Sequence, residues 1–287
     1  MPELPEVEGI RRVLSSRLIG LSVLSVDVSR VDVIKPLKGS RKTPGRSGRP
    51  QALLEGGVFS RIIRHGKRLA LVVHDGRVLE FGLGMSGQLS FIPSERGWER
   101  QKHEHVCWTL GTDETGMSGW MVWKDPRRFG GVTPIPCRQQ LEHHQWKALG
   151  PDAIDVSSTT FQKRLGNGRS PIKVRLLNQS VIAGIGNIYA DEALFDSGIN
   201  PKRAANRISS KRLERLRRSI REILHEAIRA GGSSIRTYKD PDGRDGSFQN
   251  AHAVYGRQNE ACVRCGAGIR SELLGGRTTA WCARCQK

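Results

Sequence analysis

No stretch of this 287-residue chain is apolar for long enough to cross a bilayer. Runs such as Leu69-Ala70-Leu71-Val72-Val73 fall far short of the ~20 residues a spanning helix needs. The opening MPELPEVEG is acidic and proline-bearing, where a secretory leader would be basic and then apolar, so the sequence predicts a cytoplasmic protein. There is no internal repeat, which argues against a solenoid, and no heptad pattern, which leaves a monomer as the default. Acidic residues are in short supply: 28 Asp and Glu against 47 Lys and Arg leave a net charge of +19. Such a chain repels itself unless a polyanion offsets the charge. Nucleic acid is the leading candidate, because neutralising phosphates releases counterions, and an anionic membrane surface is the second. Cysteine is sparse, and the six present point in a cytosolic chain to metal rather than disulfides.

What is present divides the chain. Val7, Ile10, Leu14 and Leu18 recur at helical spacing over residues 3–19, with Pro5 in the tolerated first turn. Residues 22–29 read as a strand. Residues 36–50 are rich in Lys, Arg, Gly and Pro and read as an exposed basic loop, either a DNA contact or a solvated hairpin tip. Short β-like runs follow at 58–64, 68–74, 77–81, 87–92, 104–110 and 119–124, set off by turn residues, and predict an antiparallel sandwich or barrel. The pattern then turns helical. The clearest helix is 209–229, with Leu213, Leu216, Ile220, Ile223, Leu224 and Ala227 on one face and Arg and Lys on the other. Residues 231–252 read as a mobile Gly/Ser/Asp-rich connector. The fold class predicted is α+β and multidomain. An N-terminal sandwich with its helix spans 1–136, a linker 137–156, a helical domain with its loop 157–250 and a cysteine module 251–287.

The last module carries the strongest local signal. Cys262 and Cys265, then sixteen residues, then Cys282 and Cys285, place two thiolates on each of two tight turns. That is the donor set of a closed, tetrahedral, structural Zn2+ site. So small a domain lacks the core to fold alone, and the metal supplies the missing free energy.

Four further segments occur in one order with this module: MPELPEVE at the start, Asp125-Pro126-Arg127-Arg128-Phe129-Gly130, the run from Gly184 to Glu192, and Val254-Tyr255-Gly256-Arg257. Together they resemble the bacterial formamidopyrimidine-DNA glycosylase family over nearly the whole chain. The resemblance implies a catalytic β-sandwich, a helix–two-turns–helix domain and a zinc finger, with damaged double-stranded DNA across the cleft. It also implies excision of an oxidised purine, 8-oxoguanine or a formamidopyrimidine, followed by β,δ-elimination at the abasic site.

On the residues alone, Pro2 reads as a helix-starting proline; the resemblance implies a nucleophile. Once Met1 is removed, Pro2 is a terminal secondary amine that can attack the anomeric carbon and form an iminium. An α-amino group titrates near about 8, against about 10.4 for lysine, so a useful fraction is neutral at pH 7. Glu3 then shuttles protons and Glu6 supports it. Lys67, in His65-Gly66-Lys67-Arg68, is implied to contact phosphate and assist elimination. Arg277, before Cys282, is implied to clamp phosphates, for which a planar guanidinium is suited. Extruding a base leaves a hole. Met85 and Phe129 are implied wedges and Arg127 a partner for the orphaned base. Asn187 and the amides beside it, at a helix start, are expected to hold a phosphate, and the resemblance implies Lys173 and His103 as further phosphate contacts.

Three positions depart from the family pattern: Gly82 where a histidine is common, Gly168 where a basic residue is expected, and Asn178 where an aspartate is common. They leave DNA grip and lesion preference open. Two other readings stand beside the first: a sister enzyme for oxidised pyrimidines, and a zinc-ribbon DNA-binding protein without catalysis.

Overall fold

Branched and aromatic residues separated by turn residues form strands where that pattern predicts them. These are β1 (Ser22–Val28), β2 (Phe59–His65), β3 (Arg68–Val73), β4 (Val78–Gly82), β5 (Gln88–Pro93), β6 (Glu104–Thr112) and β7 (Gly116–Lys124). The computed structural model describes residues 2–39, 49–112, 114, 116–235 and 238–287, so most of the basic loop expected at 36–50 lies outside the described residues. An eighth strand, β8 (Gly131–Ile135), escapes the sequence reading because Pro134 interrupts it. The strands make two antiparallel four-stranded sheets, ordered β1-β6-β7-β5 and β2-β3-β4-β8. β8 is an edge strand, the one place in a sheet where a missing N–H is tolerated.

The chain divides into two compact units. The first takes in Pro2, Glu6–Ala148 and Ser233–Gly246; the second takes in Glu3–Pro5, Leu149–Gly232 and Ser247–Lys287. In the first, one core joins Leu69, Leu71, Leu79 and Phe81 of one sheet to Val106, Trp108, Met121 and Trp123 of the other. The helix α1 (Leu4–Leu18) adds Val7, Ile10, Leu14 and Leu18, the stripe its spacing predicts, all buried. Each such side chain is worth about 1.5–3 kcal/mol. A short helical segment, α2 (Arg138–Gln140), runs into a π-helical turn at Leu141–Trp146.

Ser233–Gly246 corrects the expectation of a mobile connector. Its described residues have little regular structure but are pinned within the first unit. Ser233 N donates to Glu6 Oε1 at 2.9 Å, Tyr238 Oη to the Glu6 carbonyl at 3.2 Å, and Phe91 N to the Pro241 carbonyl at 3.0 Å. Arg17 pairs with Asp242 at 3.0 Å. Polar residues that composition counts as flexible are here hydrogen-bonding partners.

The second unit holds α3 (Ser158–Gly166), α4 (Ile172–Leu177), α5 (Asn187–Asp196), α6 (Ser210–Arg229), and the hairpin β9 (Arg270–Leu274) and β10 (Arg277–Trp281). Leu213, Leu216, Ile220, Leu224 and Ala227 of α6 are buried in a core shared chiefly with α3 and α5, as the amphipathic pattern predicts. The zinc-module end has a separate, much smaller apolar cluster, of which Cys262 and Cys282 are themselves members.

Candidate functional site

In the first unit the sequence-predicted wedge residues come together. Residues 84–87 follow β4 and residues 125–130 follow β7. Gly84 sits at φ +58, and a Cβ there would lie 2.6 Å from the Phe129 carbonyl carbon, so the two loops can meet only over a glycine. Asp125 clasps them. It is fully buried, and its carboxylate accepts from Ser86 Oγ at 2.6 Å and Gly130 N at 2.8 Å. Ser86 Oγ in turn accepts from Arg127 N at 3.2 Å. Three side chains project from this clasp. The Arg127 guanidinium lies over the Phe129 ring at 4.6 Å and reaches Met85 Sδ at 3.5 Å. Met85 is 39% exposed and Phe129 62%, which is open for large apolar groups held on rigid turns. The neighbouring Arg128, at φ +55, turns away to Asp32 at 2.8 Å.

His103 braces the same clasp from a turn before β6. Its φ is +71, a left-handed conformation uncommon for a non-glycine residue, and its carbonyl accepts from Asp125 N at 3.1 Å. The buried His105 ring meets the Asp125 carbonyl at 3.0 Å. Lys67 follows Gly66 (φ +56) in the two-residue turn between β2 and β3 and is half-buried. Pro2 is half-buried in the same unit.

In the second unit the expectations change more. Glu3 is buried, and its carboxylate accepts from Gly186 N at 2.7 Å and Ile188 N at 3.0 Å, at the start of α5. A Cβ on Gly186 would collide with that carboxylate, so glycine is required there by space. The amides expected to hold a phosphate beside Asn187 are thus taken by an acid of the chain itself, filling the anion position that a helix N-terminus offers. The Asn187 side chain donates to the Thr278 carbonyl at 2.9 Å.

Lys173 is corrected more sharply. It has no exposed surface, so the expected phosphate contact is not what the fold gives it. Its ammonium lies 2.7 Å from Asp191 and donates to the Thr278 carbonyl at 3.0 Å and Thr279 Oγ1 at 2.9 Å. Asp191 also accepts from Ala280 N at 3.0 Å. Burial pushes the Asp191 carboxyl up to about 7 and the Lys173 ammonium down, while their contact pulls each back toward its charged form. Lys173, Asp191 and Asn187 therefore hold β10 from beneath, and the exposed Arg277 stands at the start of that strand.

The next residue repeats the device. Glu192 accepts from the backbone amides of Ala253, Val254 and Tyr255 at 2.8–3.0 Å, tying α5 to the segment before the zinc module. Sequence reasoning quoted Asp125, Asp191 and Glu192 within motifs but assigned them no role. The usable signal for Asp191 and Glu192 was an acid inside an otherwise apolar run, where burial demands partners; Asp125, among Lys124, Arg127 and Arg128, carries no such signal.

The four cysteines fit a metal. All four Sγ atoms lie within 4.8 Å of one another, with Cys262 to Cys285 at 3.9 Å and Cys265 to Cys282 at 3.5 Å. Zinc–sulfur bonds of about 2.3 Å in a tetrahedron put sulfurs about 3.8 Å apart. This is the site of one structural zinc ion, closed by four protein donors.

Two of the departures are absorbed locally. Over Gly168 lies the side chain of Arg175, whose Nε donates to the Leu165 carbonyl at 2.9 Å near the end of α3. Asn178 Oδ1 accepts from Ser180 N at 2.9 Å and Ser180 Oγ at 2.8 Å, bonds an aspartate would accept equally.

Family profiles match three stretches. These are the formamidopyrimidine-DNA glycosylase N-terminal domain over residues 1–132, its H2TH domain over 148–239, and the zinc finger found in FPG and IleRS over 259–287. A formamidopyrimidine-DNA glycosylase of Rhizorhabdus wittichii is 39% identical over 289 residues, covering all of both chains. The Lactococcus lactis Fpg in complex with abasic-site DNA aligns over the whole of both chains with a TM-score of 0.86 and 33% identity. The same protein with DNA containing N7-benzyl-Fapy-dG does so at 0.87 and 33%. No helix among the described residues is long and apolar enough to cross a membrane.

Proposed function

The chain belongs to the formamidopyrimidine-DNA glycosylase family, and on that premise we propose that it is a bifunctional DNA glycosylase and abasic-site lyase of base excision repair. Its substrate is an oxidised purine in double-stranded DNA, and it acts as a cytoplasmic monomer. The observation that carries the reading furthest is the exposed Met85, Arg127 and Phe129 set on loops clasped by a buried aspartate. A soluble protein gains nothing from holding two large apolar side chains rigidly in water unless they fill a space elsewhere, and the stack vacated by an extruded base is such a space.

The chemistry follows from the chain's start. With Met1 gone, the Pro2 nitrogen attacks C1′ of the extruded nucleotide, the glycosidic bond breaks and the base leaves with a proton. The C1′–O4′ bond then opens as the ring oxygen takes a proton, giving an iminium; this is the electron sink for β-elimination, which expels the 3′ phosphate, and a second, δ-elimination expels the 5′ phosphate and frees the sugar remnant. Glu3 exchanges protons with the sugar ring oxygen. Lys67 and Arg277 neutralise phosphates beside the reacting sugar. The zinc ion lends rigidity to the hairpin that bears Arg277 and takes no part in bond breaking.

Borohydride trapping tests this with mature protein beginning at Pro2. Wild type should form a covalent adduct on 8-oxoguanine duplex, and Pro2→Gly should form none. Stronger trapping on thymine-glycol duplex would move the substrate to oxidised pyrimidines. Tight binding with no adduct on any lesion would leave only a DNA-binding protein.

A further inference from the structure

Gly82 is the third departure, and a neighbour occupies the space beside it. Gly82 ends β4 and pairs directly across the sheet with Arg68, the first residue of β3. A Cβ at position 82 would run into the Arg68 guanidinium, which therefore lies back over the bare backbone of that glycine. Among the described residues this guanidinium makes no hydrogen bond and no ion pair. The acid whose field it shares is Glu80, two residues earlier on the same face. The Glu80 carboxylate accepts instead from Trp146 Nε1 at 2.9 Å, and burial pushes it up toward its neutral form. Arg68 is thus a half-buried planar cation that shares a field with Glu80 but makes no hydrogen bond or ion pair with it. Its chain neighbour is Lys67, and Gly82 stands three residues before Met85. A half-buried guanidinium with open donors suits an anionic partner, and its planar fork matches two phosphate oxygens.

We infer that Arg68 binds a backbone phosphate of the DNA, and that residue 82 is glycine because it makes room for this guanidinium. The inference rests on the DNA-processing reading above.

The test is the salt dependence of affinity for duplex carrying a tetrahydrofuran abasic analogue, measured for wild type, Arg68→Ala, Gly82→Ala and the double variant. Arg68→Ala should weaken binding severalfold on lesion-bearing and undamaged duplex alike. It should lower the slope of log K against log salt by about 0.9, the value of one phosphate. Gly82→Ala leaves the net charge unchanged and meets only the far end of a flexible side chain, so it should fold normally. It should reproduce much of the Arg68→Ala loss, and the double variant should bind no worse than Arg68→Ala. An unchanged slope in Arg68→Ala, or wild-type binding by Gly82→Ala, overturns the inference. Wild-type trapping separates the two failures: an enzyme that traps while Arg68→Ala keeps its slope refutes the phosphate contact alone. Absence of trapping refutes the function, while the slope still decides the contact.

Discussion

The clasped loops of the first unit and the β10 hairpin of the second solve one problem with different resources. Each must hold exposed groups, Met85, Arg127 and Phe129 in one and Arg277 in the other, firmly enough to act. Each uses a buried carboxylate that accepts backbone or hydroxyl hydrogen bonds: Asp125 in one, Asp191 in the other. The difference lies underneath. The clasp stands on a two-sheet core that includes Trp108, Trp123, Phe59 and Phe81. The hairpin stands on a handful of apolar residues, two of them zinc ligands, and on a buried ion pair. Rigidity at the first site is thus a by-product of hydrophobic burial. At the second it is assembled from metal and charge, so it should fail under conditions the first survives.

Zinc removal should break the comparison most. A structural site of this type contributes about 10 kcal/mol or more to folding. A strong chelator, or Cys282→Ser, should therefore abolish strand cleavage and disorder the hairpin. The sandwich should keep its own melting transition, followed through Trp98, Trp108, Trp120, Trp123 and Trp146, all in the first unit. Joint collapse of both units would show the sandwich to be metal-dependent as well.

Lys173→Ala comes next, since it leaves Asp191 buried without its cation, a loss of about 3–5 kcal/mol. Calorimetry should show that destabilisation with the salt slope of DNA binding unchanged. A slope lower by about one with an unaltered melt would return Lys173 to the phosphate contacts. Asp125→Ala should be milder overall, about 1–3 kcal/mol for the buried groups left unpaired. Its larger effect should be on function: Met85 and Phe129 lose their brace, so strand scission should fall further than binding to undamaged duplex. Equal losses in the two assays would make the clasp a purely structural feature.

The smallest effect sharpens the comparison through pH. Burial alone would raise the Glu8 carboxyl, but Arg11, Arg12 and Arg64 outweigh it and hold the pKa at about 2, against an ordinary value of 4.5. The folded state therefore stays charged where the unfolded chain takes up a proton. The stabilisation from Glu8 is complete above pH 4.5 and disappears as pH falls toward 2. Screening at a partly open site limits it to about 1–2 kcal/mol. Urea unfolding of wild type and Glu8→Gln should differ by that amount at pH 7 and converge in acid. A difference that persists at pH 2 would mean that packing, not charge, is what Glu8 supplies.

Much of this architecture was legible because its signals are local. The α1 stripe, the α6 stripe and seven of the eight sandwich strands follow from periodicity, and the zinc site from cysteine spacing. β8 was not, because Pro134 is tolerated only at a sheet edge, and edge position is not written in five residues. The resemblance implies a phosphate contact at Lys173, and a helix-start position suggests one at Asn187. Asp191, Thr278 and Thr279, eighteen or more residues away in sequence, claim them instead. The segment 231–252 was read as mobile from composition, which cannot register bonds to Glu6 and Phe91.

The sequence by itself determined the element types, the metal site, the basic character and the family. It did so because side-chain period, thiolate spacing and net charge act over a few residues or over the whole chain at once. The tertiary structure decided which polar groups are spent inside the protein and which remain for a substrate. That allocation depends on burial, and burial is set by partners distant in the chain. The same lysine chemistry is sealed beside Asp191 at Lys173 and half-buried on a hairpin turn at Lys67.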